Sequence, residues 1–288
     1  MPIEIKHLDH VYMPGSPFET KALDDVTLDI HDGEFIGLIG HTGSGKSTLV
    51  QHLNGLMKPD RGTVKVDGMD TASRETDLRE VRRRVGLVFQ YPEHQLFEET
   101  VRKDVGFGPR NLGCDEAEIE ERVREACAQV GLGEDMLDKS PFDMSGGQKR
   151  RVAIAGVLAM RPRVLVLDEP TAGLDPRGRR ELIELIRQLH DDAGNTIVMV
   201  SHSMDDIANL AQRIIVMNHG RVAMDGTPRE VFSRPAELLE MHLGVPAAAR
   251  LAMALRARGF ELPADAYMLD ELRDLILRLP DKTQEVNR

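Results

Sequence analysis

The sequence predicts an α/β fold, and three observations carry that prediction. Residues 35–39 form an apolar run of strand length, followed by Gly40-His41-Thr42-Gly43-Ser44-Gly45-Lys46-Ser47-Thr48 and then by helical spacing at Leu49, Val50 and Leu53. Strand, glycine loop and helix in that order match G-x-x-x-x-G-K-[ST] at every fixed position. Val164-Leu165-Val166-Leu167 and Ile197-Val198-Met199-Val200 are unbroken apolar runs, the signature of strands buried on both faces. Between such runs lie longer stretches with helical periodicity, which is the α/β arrangement.

In chain order, Ile3, Ile5 and Leu8 begin a strand, and Met13-Pro14-Gly15-Ser16-Pro17 reads as a loop. Residues 22–30 resume a strand, and Asp32-Gly33 turns into the strand before the glycine loop. Glycines 40, 43 and 45 let the backbone curl so that its N–H groups converge on phosphate oxygens, helped by the helix dipole. Lys46 would reach the β- and γ-phosphates, and the Ser47 hydroxyl would ligate Mg²⁺. The chain is therefore expected to bind a nucleoside triphosphate. Tyr12 lies upstream of the loop, where an aromatic can stack on adenine; an ordinary strand tyrosine fits the spacing equally well.

Asn54-Gly55 and Pro59-Asp60-Arg61-Gly62 mark turns around a short strand at 63–66. Residues 78–84 read as a helix whose Arg82-Arg83-Arg84 run is a solvated face. Residues 85–89 are a buried strand ended by Gln90, placed where open sheets hold ligands, at the C-terminal end of a central strand. From about 99 to 160 the pattern is helical, with Ile119, Val123, Cys127 and Val130 on one stripe. Ser145-Gly146-Gly147-Gln148 opens another helix with a natural N-cap and exposed amides, a second anion-binding device. One phosphate chain seldom needs two such devices, which leaves the second free to serve a partner's nucleotide.

Asp168-Glu169 closes a strand with adjacent carboxylates, costly unless paired. Mg²⁺ held by Asp168 supplies that partner, and Glu169 can polarise a water. Ser201-His202 ends the next buried strand, so His202 can reach the same crevice. A helix at 177–191, a hairpin around 218–221 and a capping box at Thr227-Pro228-Arg229-Glu230 complete this part, which is expected to end near Gly244. Two amphipathic helices follow, at 246–258 and 265–279, too small to bury a core alone and expected to pack on the main body or on a partner. A polar tail at 280–288 is expected to fray.

Composition narrows the function. The 288 residues, 41% hydrophobic and 30% charged, describe a globular chain, and the net charge of −11 argues against coating nucleic acid. No apolar run approaches a membrane span and no secretion signal opens the chain. Cys114 and Cys127 form neither metal spacing nor a disulfide framework, which fits a reducing cytoplasm.

Read together, these motifs resemble the ATP-binding cassette family over residues 1–244. The narrowing feature is Ser145-Gly146-Gly147-Gln148-Lys149 upstream of the strand ending in Glu169, with Gln90 between the two anion devices and His202 after. The resemblance implies a P-loop cassette with a mixed sheet core, a helical signature subdomain at about 99–160 and a helical extension over 245–288. It implies two cassettes, self or paralogue, stacked head to tail, each lending its Ser-Gly-Gly-Gln turn to the other's ATP. In that picture Glu169 is the general base and His202 contacts the γ-phosphate. Gln90 senses Mg²⁺, Asp175 crosses the dimer interface, and Tyr12 stacks on adenine. Met144 departs from the family's usual leucine, a near-isosteric change.

Tyr12-Met13-Pro14-Gly15-Ser16-Pro17-Phe18, the segment at 91–97 and the helical extension are similar to ATPases of energy-coupling-factor importers, which take up vitamins and, in related systems, cobalt or nickel ions. Ser201-His202-Ser203-Met204-Asp205-Asp206 is similar to the second of the two paralogues in such complexes. This implies an integral membrane coupling subunit seated on residues 91–97, a separate substrate-binding membrane subunit, and a peripheral place on the cytoplasmic face of the membrane. Two other classes remain open to the motifs. A soluble cassette clamping nucleic acid or ribosomes would ordinarily carry a coiled coil or second cassette, absent here. A P-loop kinase would leave the Ser-Gly-Gly-Gln turn unexplained.

Overall fold

In the computed structural model, which describes residues 2–278, two sheets share one apolar layer. Strands β1 (Ile3–Tyr12) and β2 (Thr20–Ile30) pair antiparallel, with Ile3 opposite Ile30 and Tyr12 opposite Thr20. The Asp32–Gly33 turn does not close a hairpin; it carries the chain into a second sheet through β3 (Phe35–Gly40), and α1 (Lys46–Leu53) follows. Strands β4 (Arg61–Val66) and β5 (Met69–Asp70) return to the first sheet, of order β2-β1-β4-β5.

Helix α2 (Leu78–Arg84) runs straight into β6 (Val85–Val88). Next come α3 (Val101–Asn111), α4 (Glu116–Gln129) and α5 (Gly146–Leu158), the helical stretch that the periodicity predicts. Strand β7 (Val164–Asp168), α6 (Pro176–Ala193) and β8 (Thr196–Val200) lead to α7 (Met204–Leu210). The expected hairpin is β9 (Arg213–Asn218) with β10 (Arg221–Gly226). Four helices close the chain: α8 (Pro228–Phe232), α9 (Pro235–Glu240), α10 (Ala247–Ala257) and α11 (Leu269–Leu277).

The second sheet has the order β10-β9-β3-β8-β7-β6, five parallel strands and one antiparallel edge, so the core sheet is mixed. Its unbroken apolar runs divide by parity. Ile36, Leu38, Val164, Val166, Val198 and Val200 face the first sheet and α1. Phe35, Ile39, Leu165, Leu167, Ile197 and Met199 face the helices. Two cores on opposite faces explain why these strands do not alternate. Cys127 lies in the helical core, where burial pushes its thiol up to about 11, so it packs and does not react.

Two expectations need correction, and one helix went unread. Strand β6 is an edge of the sheet, not a central strand; it reads as buried because α2 and α5 cover it. Helix α7 escaped the reading because seven residues offer little periodicity; its signal is Ser203, whose side chain accepts the Asp206 N–H. Helix α11 starts at Leu269, not Asp265, because tertiary contacts claim the intervening residues. Arg229 of α8 binds both the carboxylate and the carbonyl of Asp265, and Tyr267 packs 5.7 Å from Phe232. The extension therefore seats on the main body, with Val245 and Ala249 in the large core and a small cluster of its own around Ala252 and Leu272. The tail at 280–288 lies outside the described residues.

Helix α1 buries a titratable group. His52 is fully buried with Nδ1–H donating to the Thr48 carbonyl at 2.8 Å. Burial lowers its pKa from the ordinary 6.5, the Thr48 bond opposing and the nearby His10 adding to the fall. The unfolded chain thus binds a proton at higher pH than the native one. Stability is whole above about pH 6.5 and is lost as pH falls from there toward the depressed folded value. The melting temperature of the full chain is expected to drop over that interval. A His52→Leu variant is expected to flatten this acid arm, and an unchanged slope would assign the sensitivity to other groups.

Candidate active site

The C-terminal ends of β3, β7 and β8 converge on one cavity of about 510 Å³. Its wall includes Thr42, Gly43 and residues 45–48 of the loop, together with Gln90, Asp168, Glu169, His202 and Tyr12. The loop's glycines serve different ends. Gly43 (φ 82°) and Gly45 (φ 103°) occupy left-handed backbone. Gly40 is needed for space: a Cβ there would sit 2.4 Å from the Ser44 Oγ and 2.5 Å from the Met217 carbonyl. Gly45 caps α1 without any side-chain cap, so the first amides of the helix face the cavity uncommitted.

Not every loop residue presents its side chain. His41 turns its ring to Asn218, with Nε2 3.1 Å from Oδ1, while its carbonyl accepts from Lys46. The Ser44 side chain is buried, and its carbonyl accepts the Gly220 N–H. Lys46 is nearly buried, its Nζ donating to the carbonyls of Gly40 (2.7 Å) and His41 (3.1 Å). Desolvation lowers its pKa, and the charges of Glu169 and Asp168 oppose that fall.

The two acids end β7 as expected. Asp168 pairs in register with Val200 of β8, and His202 comes off the adjacent parallel strand end. Glu169 adopts φ 52°, left-handed for a residue with a Cβ, and its N–H is tied to the Val200 carbonyl at 3.0 Å. Such a conformation persists only where the surroundings hold it, and it is common at functional sites. His202 Nε2 lies 2.8 Å from Glu169 Oε1. Burial pushes both carboxyls above their ordinary values, with Lys46 and His202 pulling the other way. A carboxylate raised above its ordinary range is a stronger base than a solvated one.

Ser47, Asp168 and Gln90 line the same wall. Among the described residues no three His, Cys, Asp or Glu side chains cluster to enclose an ion. One carboxylate, one hydroxyl and one amide suit a hard cation that keeps water and substrate oxygens as its remaining ligands.

Ser145, Gly146, Gly147, Gln148 and Asp175 do not line this cavity. Ser145 and Gln148 form a complete capping box, and Gly146 and Gly147 are exposed with open space beside them. Asp175 is exposed and caps α6 by accepting the Gly178 N–H at 2.6 Å. The chain thus holds its two anion devices apart.

Two features were missed in the sequence. Thr20, Lys21 and Ala22 at the start of β2 also line the cavity, and a strand pattern alone carries no sign of this. Arg150 is buried and bidentate to Glu93 (2.7 and 2.9 Å), while Nη1 donates to the carbonyls of Pro170 and Ala172. An arginine on the buried side of α5 was the available signal.

A model of the ABC transporter family matches residues 23–172. The chain belongs to that family. It is 61% identical over 271 residues to the energy-coupling factor transporter ATP-binding protein EcfA2 of Symbiobacterium thermophilum, covering 94% of each chain. To the protein of that name from Caldanaerobacter subterraneus it is 52% identical, covering 99% of this chain and 100% of the relative. Among solved structures it resembles cbiO1 of Clostridium perfringens, part of the ABC transporter complex cbiONQ, with TM-score 0.73 and 37% identity over 88% of this chain and 98% of that one. It also resembles the ATP-binding cassette MJ0796, a dimer in a post-hydrolysis state bound to ADP and Pi (TM-score 0.69, 30% identity, 78% of this chain and 98% of that one). The cassette is an ABC ATPase of the energy-coupling-factor type, and ATP is the nucleotide its loop serves.

Proposed function

We propose that the cassette drives uptake of a vitamin or transition-metal ion by closing head to tail with a second cassette, itself or a paralogue, around two Mg·ATP. The observation that carries this is the separation of the two anion devices: one cavity holds the loop, the acids and His202, while Ser145, Gly146, Gly147 and Asp175 stand exposed elsewhere, with Gln148 half-buried beside them. A neighbour's corner would complete each site with amides at the γ-phosphate. Ser47 and Asp168 would hold Mg²⁺, with Gln90 at its edge. Glu169 would take the proton of the attacking water, His202 would steady that water, and Tyr12 would stack on adenine. ATP favours the closed pair and product release the open one.

A groove of about 490 Å³ between α2, α3 and α5 would receive a helix of an integral membrane coupling subunit. Gln95, Leu96 and Phe97 line it, whereas Glu93 is engaged by Arg150, so only the later part of 91–97 serves. Phe97 is 57% exposed and meets Phe107 edge-on at 4.9 Å, an unburied aromatic pair of the kind that marks contact surfaces. Arg82 and Arg83 are wall residues here, while Arg84 pairs with Asp67, so the arginine run is not one solvated face. No helix among the described residues is long and apolar enough to cross a membrane, which suits a peripheral subunit on the cytoplasmic face. The solute would be chosen by a separate membrane subunit.

Purification of the tagged full chain from detergent-solubilised membranes tests this reading. Integral membrane subunits and a second cassette are expected to co-purify, with ATPase per chain rising with concentration as the pair forms. Recovery of ribosomes or nucleic acid instead, or full-speed hydrolysis by an isolated monomer, would overturn it.

A further inference from the structure

Behind Tyr12 stand two histidines that the nucleotide chemistry does not use. His10 lies two residues earlier on the same face of β1. Its ring meets Tyr12 edge-on, with centroids 4.8 Å apart and planes at 80°. On its other side it meets His52 of α1 at 4.9 Å and 73°. The His52 Nδ1–H donates to the Thr48 carbonyl, which can only accept, so Nε2 carries the lone pair. The Thr48 hydroxyl lies 3.2 Å from the Tyr12 hydroxyl, which closes the circuit. Tyr12, His10, His52 and Thr48 thus form a ring of contacts joining the strand to the helix that begins at the glycine loop.

Polarity makes this arrangement costly. His52 Nε2 and His10 Nδ1 are both buried without a well-formed hydrogen bond among the described residues, the Lys58 backbone approaching His52 and Asp60 approaching His10 Nδ1 to 3.5 Å. Two apolar side chains would fill the space without stranding those nitrogens. A flat ring set nearly perpendicular to Tyr12 is what imidazole supplies at His10, and aromatic pairs prefer this T-shaped geometry. Among the described residues the other side-chain bonds of Tyr12 are at its hydroxyl, to Thr48 and to the Met57 sulfur at 3.5 Å.

We infer that His10, braced by His52, is a positioning residue that fixes the Tyr12 ring and thereby sets how strongly the cassette prefers a nucleotide over a bare triphosphate. The inference rests on the reading of Tyr12 as the surface on which the base stacks. It divides binding into two parts: the glycine loop holds the phosphates whatever His10 does, and the base contact depends on it.

The test measures dissociation constants of the full chain for Mg·ATP and for magnesium tripolyphosphate by calorimetry, in His10→Ala, His10→Phe and Tyr12→Ala variants. Loss of one aromatic pair is expected to weaken ATP binding by roughly two- to tenfold in His10→Ala. Tripolyphosphate binding should stay at the parent value, and His10→Phe should restore ATP binding by restoring the aromatic pair. If Tyr12→Ala weakens ATP while His10→Ala does not, the positioning role falls and the stacking surface stands. If Tyr12→Ala leaves ATP affinity unchanged, the stacking surface falls and the inference with it. Equal weakening toward ATP and tripolyphosphate in His10→Ala would mean damage to the loop and would also overturn it.

Discussion

Replacing Glu169 by glutamine is expected to stop ATP turnover while leaving ATP binding intact. The amide has the shape of the carboxylate and can still meet His202, but it has no basic lone pair for a water proton. A positioned general base contributes about 10²- to 10⁴-fold, so the residual rate should fall within that range below the parent. Fold stability should not suffer. Burial raises the Glu169 pKa, which means that the native state binds its proton more tightly than the unfolded chain does. Ionisation therefore works against the fold as pH rises through that value, and a neutral amide removes the penalty. The variant is expected to melt no lower than the parent at neutral pH and, with its partner cassette and ATP, to persist as a closed pair on size-exclusion chromatography. Phosphate release within about tenfold of the parent rate would remove Glu169 from the base role.

What was legible in the sequence follows from how much physics each segment carries locally. The glycine loop declares itself because left-handed backbone at Gly43 and Gly45 strains any residue with a Cβ, while contact with Ser44 and Met217 at Gly40 leaves no room for one. The strand ends at Asp168 and His202 were placed correctly because two adjacent acids after four buried residues need a reason. The position of β6 was not legible: an edge strand covered on both faces has the same composition as a central one. Nor was the start of α11, where Arg229 on a distant helix decides whether Asp265 is helical. His10 and His52 are separated by forty-two positions and an entire glycine loop, so only the fold brings their rings together.

Arg150 is the contact whose loss should be felt most widely. It lies five residues after Ser145 on α5, yet it holds Glu93, in the turn after Gln90, and the two carbonyls that follow Glu169. One side chain thus ties the Ser-Gly-Gly-Gln corner to the two loops that follow Gln90 and Glu169. Burial alone would raise the Glu93 carboxyl; the Arg150 guanidinium outweighs it and keeps the carboxyl below its ordinary range. Removing one partner of a buried pair costs more than the pair contributes, because the remaining charge is stranded. Arg150→Met is therefore expected to lose about 3–5 kcal/mol in chemical denaturation. The double variant Arg150→Met with Glu93→Met should recover part of that loss, since no buried charge remains. Arg150→Lys separates stability from position: a lysine can still pair with Glu93 but cannot span the carbonyls of Pro170 and Ala172 with the same fork. It should melt closer to the parent than Arg150→Met does, while ATPase of the assembled complex falls because the loop after Glu169 is no longer held to α5. An Arg150→Lys complex with parental turnover would show that those two carbonyl bonds position nothing, and that the arginine serves the fold alone.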